Sequence, residues 1–391
     1  MKKRILRYFK HIFGTLLLLS IGTLYVLLSE NGGIHYGDNN LKMNWDNEGP
    51  YVFYENDSTV NVQYVKGNQK DGFYVNQEKY STSKTIPLKC YFALDDTSFN
   101  FSIDNDIIET PMATYKDDEK ILAISDIESG FKSFRDFLIH SRVIDEQLQW
   151  TFGKGHLVLV GDFVDRGFST TQVLWFIYKL EQNAKNHGGT VHFILGNHEI
   201  KNLQGNYEAA SPKYNYVSAI LGKQQHNLYD SNSFLGRWLE SKNTVERING
   251  HLFVHGGVHP DVAEANMPIE EINKIVRANY RNTFYPKRIK STEQLLISTF
   301  KGPSWYRGYF KDDVTFDQVQ KGLDNFNAKD IIVGHTIQKK VNRQFEGKVI
   351  AIDVQHPKDY HKNWPNRKSE GLLIENETYY RVLSDGQKKE I

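Results

Sequence analysis

Five short polar clusters carry residue types that bind hard cations and move protons. They are Ser125 to Glu128, Gly161 to Gly167, Gly196 to Glu199, His255 to Gly257, and Gly334 to Thr336. Their Asp, Glu, Asn and His side chains offer oxygen and imidazole donors, suited to Mn, Fe, Zn or Mg rather than to soft thiophilic ions. Two cations held about 3.5–4 Å apart need a group that bridges them. A carboxylate with two oxygens does this best, and Asp162 is the expected bridge. Taking Asp126, Asp162, Asn197, His255 and His335 in turn, the spacings are 36, 35, 58 and 80 residues. Only tertiary folding brings such groups together. The glycines beside Asp162, Asn197, His255 and His335 permit tight backbone departures that aim these side chains at one point. Cys90 is the only cysteine, which excludes an internal disulfide, a Cys-rich zinc site and dithiol redox chemistry.

Each cluster follows a short apolar run. The runs from Ile121 to Ile124, His156 to Val160, Val191 to Leu195, Leu252 to Val254 and Ile331 to Val333 are nearly continuous, as in strands covered on both faces. Between the first three, Phe131 to Ile144 and Thr170 to Leu180 place apolar residues at three- and four-residue steps, which predicts helices. The order β-α-β-α-β gives an α/β layered domain. Loops at the carboxyl ends of such strands converge on a ligand, so the five clusters point into one cleft.

From Ile34 to about Lys116 the pattern differs. Alternating runs at Tyr51 to Tyr54, Val60 to Val65, Phe73 to Val75 and Lys89 to Leu94 predict a small all-β, sandwich-like domain. It holds no chemical constellation, and its expected role is as spacer, lid or docking surface. The charged stretch Lys116 to Lys120 marks the boundary. The expected domain organisation is therefore residues 1–30, 31–117 and 118–391.

Residues Ile12 to Leu28 form a run of seventeen without a charge, preceded by Lys2, Lys3, Arg4, Arg7 and Lys10. The length is at the short end for a transmembrane helix. It is apolar on all faces, unlike a surface helix, and its end offers a poor match to a signal-peptidase site. The expectation is an uncleaved membrane anchor, with a cleaved signal as the alternative. Either way the basic flank stays cytoplasmic and the remaining chain lies outside the cytoplasm, in the periplasm of a Gram-negative cell. Over the whole chain 48 Lys and Arg oppose 47 Asp and Glu, so no net positive field favours nucleic acid as a partner.

Gly161 to Gly167 (GDFVDRG), Gly196 to Glu199 (GNHE), His255 to Gly257 and Gly334 to Thr336 resemble the calcineurin-like metallophosphoesterases, and within them the phosphoprotein phosphatase group. The segments LGNHEIKN (195–202), FVHGGVHP (253–260), GPSWYRG (302–308) and VGHTIQ (333–338), followed by Ile352, Asp353 and Val354, resemble the Shewanella-like protein phosphatase branch. The resemblance covers about residues 120 to 384. It implies a four-layer α-β-β-α sandwich and two divalent ions, most readily Mn, with Fe, Zn or Mg as alternatives. It also implies one ion held by Asp126, Glu128 and Asp162, and the other by Asp162, Asn197, His255 and His335. His198 becomes the acid that protonates the leaving oxygen, Asp165 orients it, and Asn197, Arg166 and Arg307 contact the phosphate.

One position departs from the family pattern: D-x-H is expected where the chain has Asp126, Ile127 and Glu128. A Glu still coordinates hard ions and favours Mn or Mg over Zn, but it lowers the Lewis acidity of its metal. The opposite reading is a lost first site. Hydrolysis of a phosphomonoester needs accelerations of up to about 10²¹, and one general acid or base supplies only about 10²–10⁴, so metals carry the remainder.

The expected function is a metal-dependent phosphatase, anchored in the membrane, acting on a phosphorylated protein. The alternatives are a small-molecule or nucleotide phosphohydrolase or pyrophosphatase, and a non-catalytic phosphate-cleft binding protein. The insert from Ile200 to Ser241 is expected to shape the pocket. Glu199 is read as bracing the following helix, and His251, His259 and His356 as surface or supporting histidines, with His356 the one placed to face the cleft.

Overall fold

The computed structural model describes residues 2–29, 32–104, 108–283 and 288–391. Glu30 and Asn31, at the expected edge of the anchor, and Tyr285, in an aromatic stretch, lie outside these. Helix α1 (Lys2–Ser29) has no buried residue and is long and apolar enough to cross a membrane or to serve as a signal sequence. Strand β1 (Ile34–Tyr36) follows. Then come β2 (Glu48–Asn56), β3 (Thr59–Asn68) and β4 (Gly72–Ser81), an antiparallel meander, and the hairpin β5 (Ile86–Phe92) and β6 (Thr97–Ile103). In β5, Ile86, Leu88, Cys90 and Phe92 are buried while Pro87 and Lys89 are exposed, the two-residue period of a strand covered on one face.

The second half opens with β7 (Thr114–Tyr115), β8 (Ile121–Ile124), α2 (Phe131–His140), β9 (His156–Val160), α3 (Thr170–Asn186) and β10 (Thr190–Ile194). Next are α4 (Asn197–Gln204), α5 (Pro212–Ile220), α6 (Phe234–Glu240), β11 (Val245–Ile248) and β12 (His251–Val254). Helices α7 (Pro260–Glu264), α8 (Ile269–Ala278), α9 (Thr292–Leu296) and α10 (Phe316–Asn325) precede β13 (Asp330–Val333), β14 (Asn342–Gln344) and β15 (Val349–Ala351). The chain ends with β16 (Lys362–Trp364), β17 (Glu370–Glu375), β18 (Thr378–Leu383) and β19 (Lys388–Glu390).

Two six-stranded mixed sheets form the centre, in the orders β10-β9-β8-β17-β18-β19 and β14-β15-β13-β12-β11-β7. Alternate residues of each strand face opposite ways. Ile121, Ala123, Val158 and Val160 of the first sheet meet Phe253, Ile332 and Ile350 of the second in one apolar cluster. Leu122, Ile124, Leu157, Leu159, Leu252 and Val333 face outward into the helix-covered core. Burial on both faces explains why these strands read as unbroken apolar runs.

Helix α2 stops before the expected Ile144, because Arg142 turns into the left-handed region at φ +57° and Val143 N–H bonds back to Leu138 O at 2.9 Å. Helix α3 runs six residues beyond the expected Leu180. Twelve of its seventeen residues are buried, since α3 is enclosed by the first sheet on one side and by β2 to β6 on the other. The Trp175 indole N–H donates to Pro50 O at 2.7 Å, and its ring lies 5.0 Å from that of Phe101. The residues buried under β2 to β6 are therefore continuous with the core of the second half.

Two polar networks pin these layers. His156 Nε2 bonds to Asp117, His156 Nδ1 meets His192 Nε2 at 2.9 Å, and His192 Nδ1 meets Glu246 at 2.6 Å. This clasp ties the loop before β8 and strands β9 and β10 of the first sheet to β11 of the second. The second network centres on Glu48 of β2, which accepts from Tyr51 OH at 3.0 Å and Gln172 Nε2 at 2.9 Å and pairs with Lys213 at 2.9 Å, both charged side chains being 4% exposed. Breaking such a pair from one side leaves a buried charge. Glu48→Ala is expected to cost about 3–5 kcal/mol in thermal unfolding of the full chain, and the double variant with Lys213→Met to recover most of it. An unchanged midpoint for Glu48→Ala would mean the pair does not hold β2 on α3 and the sheets beneath it.

Candidate metal centre and active-site cleft

The polar clusters directly follow β8, β9, β10, β12 and β13, four in loops and the third, from Gly196 to Glu199, at the start of α4. Asp126, Glu128, Asp162, Asp165, Arg166 and His335 all have φ between +50° and +68°, a left-handed conformation that costs a non-glycine residue about 1–3 kcal/mol. Backbone bonds between loops hold it in place. Asp126 N–H donates to Gly161 O at 2.9 Å, Glu128 N–H to Asp162 O at 3.0 Å, and Ser129 N–H to Phe163 O at 2.8 Å. The fully buried Glu199 carboxylate welds the next loop on, accepting from Gly196 N–H and Asp162 N–H at 2.9 Å each and from Phe163 N–H at 2.8 Å. Glu199 therefore braces the metal-site loops as well as the start of α4.

Among the described residues, donor atoms of Asp162, His255 and His335 all lie within 4.8 Å of one another. His255 Nε2 is 3.1 Å from Asp162 Oδ2 and 3.2 Å from Asn197 Oδ1. Its Nδ1 bonds to Val160 O at 2.7 Å, which sets the ring and leaves Nε2 for the site, the arrangement common to metal-binding histidines. These four residues supply the oxygen and imidazole donors that suit a divalent ion. Asp126 stands beside them, its Oδ2 accepting from His335 N–H at 3.1 Å.

These buried side chains shift one another's ionisation. Burial, reinforced by Asp162, pushes the Asp126 carboxyl up to about 7. Burial also opposes the charge of Asp162, but His255 and His198 outweigh it and hold that carboxyl well below its usual range. Burial works to discharge His255, yet Asp162 and Asp126 raise it to about 10. Burial and the neighbouring His255 charge then drive His335 down to about 2. A divalent cation held by Asp162, Asn197, His255 and His335 would satisfy these carboxylates and leave both imidazoles as neutral donors.

The other expected residues surround this group. His198 Nδ1 faces Asp165 Oδ2 at 2.8 Å, and Asp165 Oδ1 accepts from Asn202 Nδ2 at 2.8 Å. With Nδ1–H donated to Asp165, the His198 Nε2 edge is left for the cleft. Arg166 is half exposed, its backbone N–H held by Ala209 O at 2.8 Å. The carboxylate of Glu128 is engaged at both oxygens, by Arg166 Nη1 and by Lys358 Nζ. Arg307 donates through Nη1 to His335 O and, at 3.3 Å, to Thr336 Oγ1, so it braces the His335 loop from the cleft wall.

Two cavities flank the centre and share Arg166. One, of 550 Å³, is lined by Asn197, His198, Trp305, Arg307 and His335. The other, of 440 Å³, is lined by Asp126, Glu128, Asp353 and Lys358. A larger groove of 570 Å³ lies between the β3–β4 and β5–β6 strands, around Tyr64, Tyr80 and Lys89, away from these groups.

A two-sided cleft with carboxylate, amide and imidazole donors at its floor is the site of a metal-assisted hydrolase, and the family model for the calcineurin-like phosphoesterases matches residues 119–339. The chain belongs to that family. This phosphoesterase is 29% identical over 231 residues to Shewanella-like protein phosphatase 1 of Plasmodium berghei, covering 56% of this chain and 61% of the relative. It is 24% identical over 342 residues to Shewanella-like protein phosphatase 2 of Arabidopsis thaliana, covering 69% and 82%. Among solved structures it is similar to a cold-active protein-tyrosine phosphatase of a psychrophilic Shewanella species, with TM-score 0.76 and 29% identity over 88% of this chain and 98% of that one. A match of 88% exceeds the segment from residue 118 onward, so the likeness reaches into the β-rich strands, farther than the motifs indicated.

Sequence reasoning about this phosphoesterase did not single out Lys358 as a partner of Glu128, nor place Asp353. The Asp353 carboxyl is buried in the cleft wall, and burial, together with the charges of Asp126 and Glu128, holds it well above its usual range. His356 is buried rather than at the surface. Its Nε2 bonds to Ser125 O at 2.9 Å, its Nδ1 has no partner, and burial depresses it to about 4. His251 pairs with Asp330, and His259 caps α7. Of the insert from Ile200 to Ser241, Lys201 lines the cleft, while Ala209 and Asn202 position Arg166 and Asp165.

The glycines act in two ways. Gly161 needs the left-handed region, at φ +77°. Gly196 and Gly334 are needed for close approach instead: a Cβ would stand 2.3 Å from Asp162 Oδ1 and 2.5 Å from Asp126 Oδ2, respectively. Gly334→Ala is expected to displace Asp126 and weaken Mn²⁺ binding at least tenfold by calorimetry while the circular dichroism spectrum is kept. Unchanged affinity would show that Asp126 does not serve the ion.

Proposed function

We propose that this phosphoesterase is a membrane-anchored phosphatase that hydrolyses phosphomonoesters on proteins, with phosphotyrosine as its substrate class, through a site for two divalent ions. The β-rich segment up to residue 117 is proposed as a packing module for α3, and 118–391 as the four-layer catalytic domain. Support for protein phosphotyrosine comes from the Shewanella tyrosine phosphatase, whose length this chain covers almost completely.

The single observation that carries the reading is the placement of His198, paired with Asp165, beside the Asp162, Asn197, His255 and His335 group, in a cavity that Arg166 and Arg307 also line. Asp162, Asn197, His255 and His335 would hold one ion, and Asp126, Glu128 and Asp162 the other, with Mn the expected metal and Fe, Zn or Mg the alternatives. Bound ions of this kind lower the pKa of water and neutralise phosphoryl oxygens. Everything else falls to the chain. Arg166 and Arg307 contact the equatorial oxygens from two sides, in the forked geometry that a lysine cannot reproduce. His198 Nε2 gives its proton to the leaving oxygen, and Asp165, accepting from Nδ1–H, keeps the ring in the tautomer and orientation that makes this transfer possible.

Two variants separate these roles. Asp162→Asn is expected to lose both turnover and metal content, whereas His198→Ala keeps the metal and loses about 10²–10⁴ in kcat on an aryl phosphate. Absence of turnover by the parent chain with every divalent ion would defeat the phosphatase reading in favour of a binding role. Glu128→His frees Arg166 and Lys358 and introduces an imidazole donor. It is expected to raise activity with Zn²⁺ relative to Mn²⁺, and an unaltered metal profile would mean that residue 128 does not touch an ion.

A further inference from the structure

Helix α1 ends at Ser29, and only a few residues separate it from β1. The segment after it does not hang free. Ile34, His35 and Tyr36 pair antiparallel with Trp364, Asn363 and Lys362, Arg367 donates to Gly32 O at 2.7 Å, and Asn39 N–H donates to Tyr360 O at 2.9 Å. The strand ribbon so formed is amphipathic. Opposed residues in a pair share a face and successive residues alternate, so His35 and Asn363 lie on one face, and Ile34, Trp364, Tyr36 and Lys362 on the other. The first face lines the 440 Å³ cavity that also holds Asp126, Glu128 and Arg166. The second is open: Ile34 is 52%, Tyr36 51% and Trp364 42% exposed. Ile337, on the rim of the same cavity, is 41% exposed.

From this geometry we infer that the outer face of the β1–β16 ribbon rests on the lipid bilayer and holds the cleft at the membrane surface, so that the phosphoesters it reaches are those displayed close to that surface. The inference rests on reading α1 as a membrane span and the cleft as a phosphatase site. The leash decides the distance. Four residues from Ser29 to Gly33 span at most about 14 Å when fully extended, and Gly33 itself lines the cavity. A wall of the cleft therefore lies within that distance of the end of the membrane helix, little beyond the headgroup layer of roughly 5–8 Å on each side of the hydrocarbon. The exposed set has the chemistry of that layer: a tryptophan and a tyrosine, which settle at membrane interfaces, an isoleucine, and a lysine whose stem can lie along the surface while its charge stays in water. In a protein held away from the bilayer these three large apolar side chains would face water.

The test uses the full chain in phosphatidylcholine vesicles containing one fifth phosphatidylglycerol. Cys90 is buried, so Ile34→Cys and Trp364→Cys each provide one reactive thiol for a nitroxide. Collisions with oxygen are expected to exceed those with a water-soluble nickel chelate at both positions, and to reverse at an exposed residue far from the ribbon, Lys274→Cys. Solvent-like values at 34 and 364 would overturn the inference. A second measurement uses phosphotyrosyl peptides carrying an acyl anchor, with the phosphotyrosine three or twenty residues from the lipid. A cleft at the surface hydrolyses the short-tether peptide at least as fast as the long one. Ile34→Asp with Trp364→Asp slows the short-tether reaction at least tenfold and leaves an untethered aryl phosphate unaffected. Failure to reach the short tether would also overturn the inference, whereas loss of the aryl phosphate reaction in the parent chain would count against the phosphatase reading and leave the nitroxide result to decide the seating.

Discussion

The architecture is governed by the cost of gathering buried carboxylates at the ends of parallel strands. Asp126, Asp162, Glu199 and Asp353 are all nearly inaccessible, and a buried charge without compensation costs several kcal/mol. Each is answered differently. Glu199 accepts from four backbone N–H groups, which also tie the Asp162 and Asn197 segments together. Asp162 is answered by imidazoles. Asp126 and Asp353 are answered least, and burial holds their carboxyls above the ordinary range, as it also does that of Glu199 despite its backbone bonds. A cation bound there would relieve a penalty that the rest of the fold leaves partly unanswered.

That arrangement explains the left-handed loops. A side chain leaving a strand end continues along the sheet unless the backbone turns sharply, and six site residues make that turn at positive φ. The turns would be unstable singly. They persist because the loops after β8 and β9 are joined by a ladder of main-chain bonds, so no one of them can relax without breaking the others. Two packed sheets supply the rigid base, and glycine at 196 and 334 removes the Cβ atoms that would stand between backbone and carboxylate.

What could be read from the residues follows the same physics. The strands before each cluster were legible because burial on both faces leaves an unbroken apolar run, and the clusters were legible because polar residues ending such runs have few structural uses. Partnership across loops was not. Nothing in Glu128 or Lys358 alone announces their ion pair, since 230 residues separate them and the loop bearing Lys358 has no periodic pattern. Helix α2 ends short of the expected Ile144 for a related reason: Val143 and Ile144 continue the apolar spacing while Arg142 has already left the helix. The alternation in β5 showed that one face is buried, but not that α3 covers it, because period two reports burial and is silent about the partner.

Glu128 shows how one exchange spreads through a site. An imidazole at this position would be neutral and would offer a lone pair to an ion. The carboxylate present instead carries a charge, and it draws a guanidinium and an ammonium from two other loops. Arg166 is thereby tied to the cavity that holds Asp126, while its backbone is held by the insert at Ala209. Lys358 brings with it the segment from Asp353 to Arg367, which lines the same cavity before pairing with β1. The carboxylate at this one position thus links Arg166 to the part of the chain nearest α1. Charge at residue 128 and the seating of the C-terminal loop are then one coupled feature, because the carboxylate that pairs with Arg166 also pairs with Lys358 on the loop on which the ribbon is built.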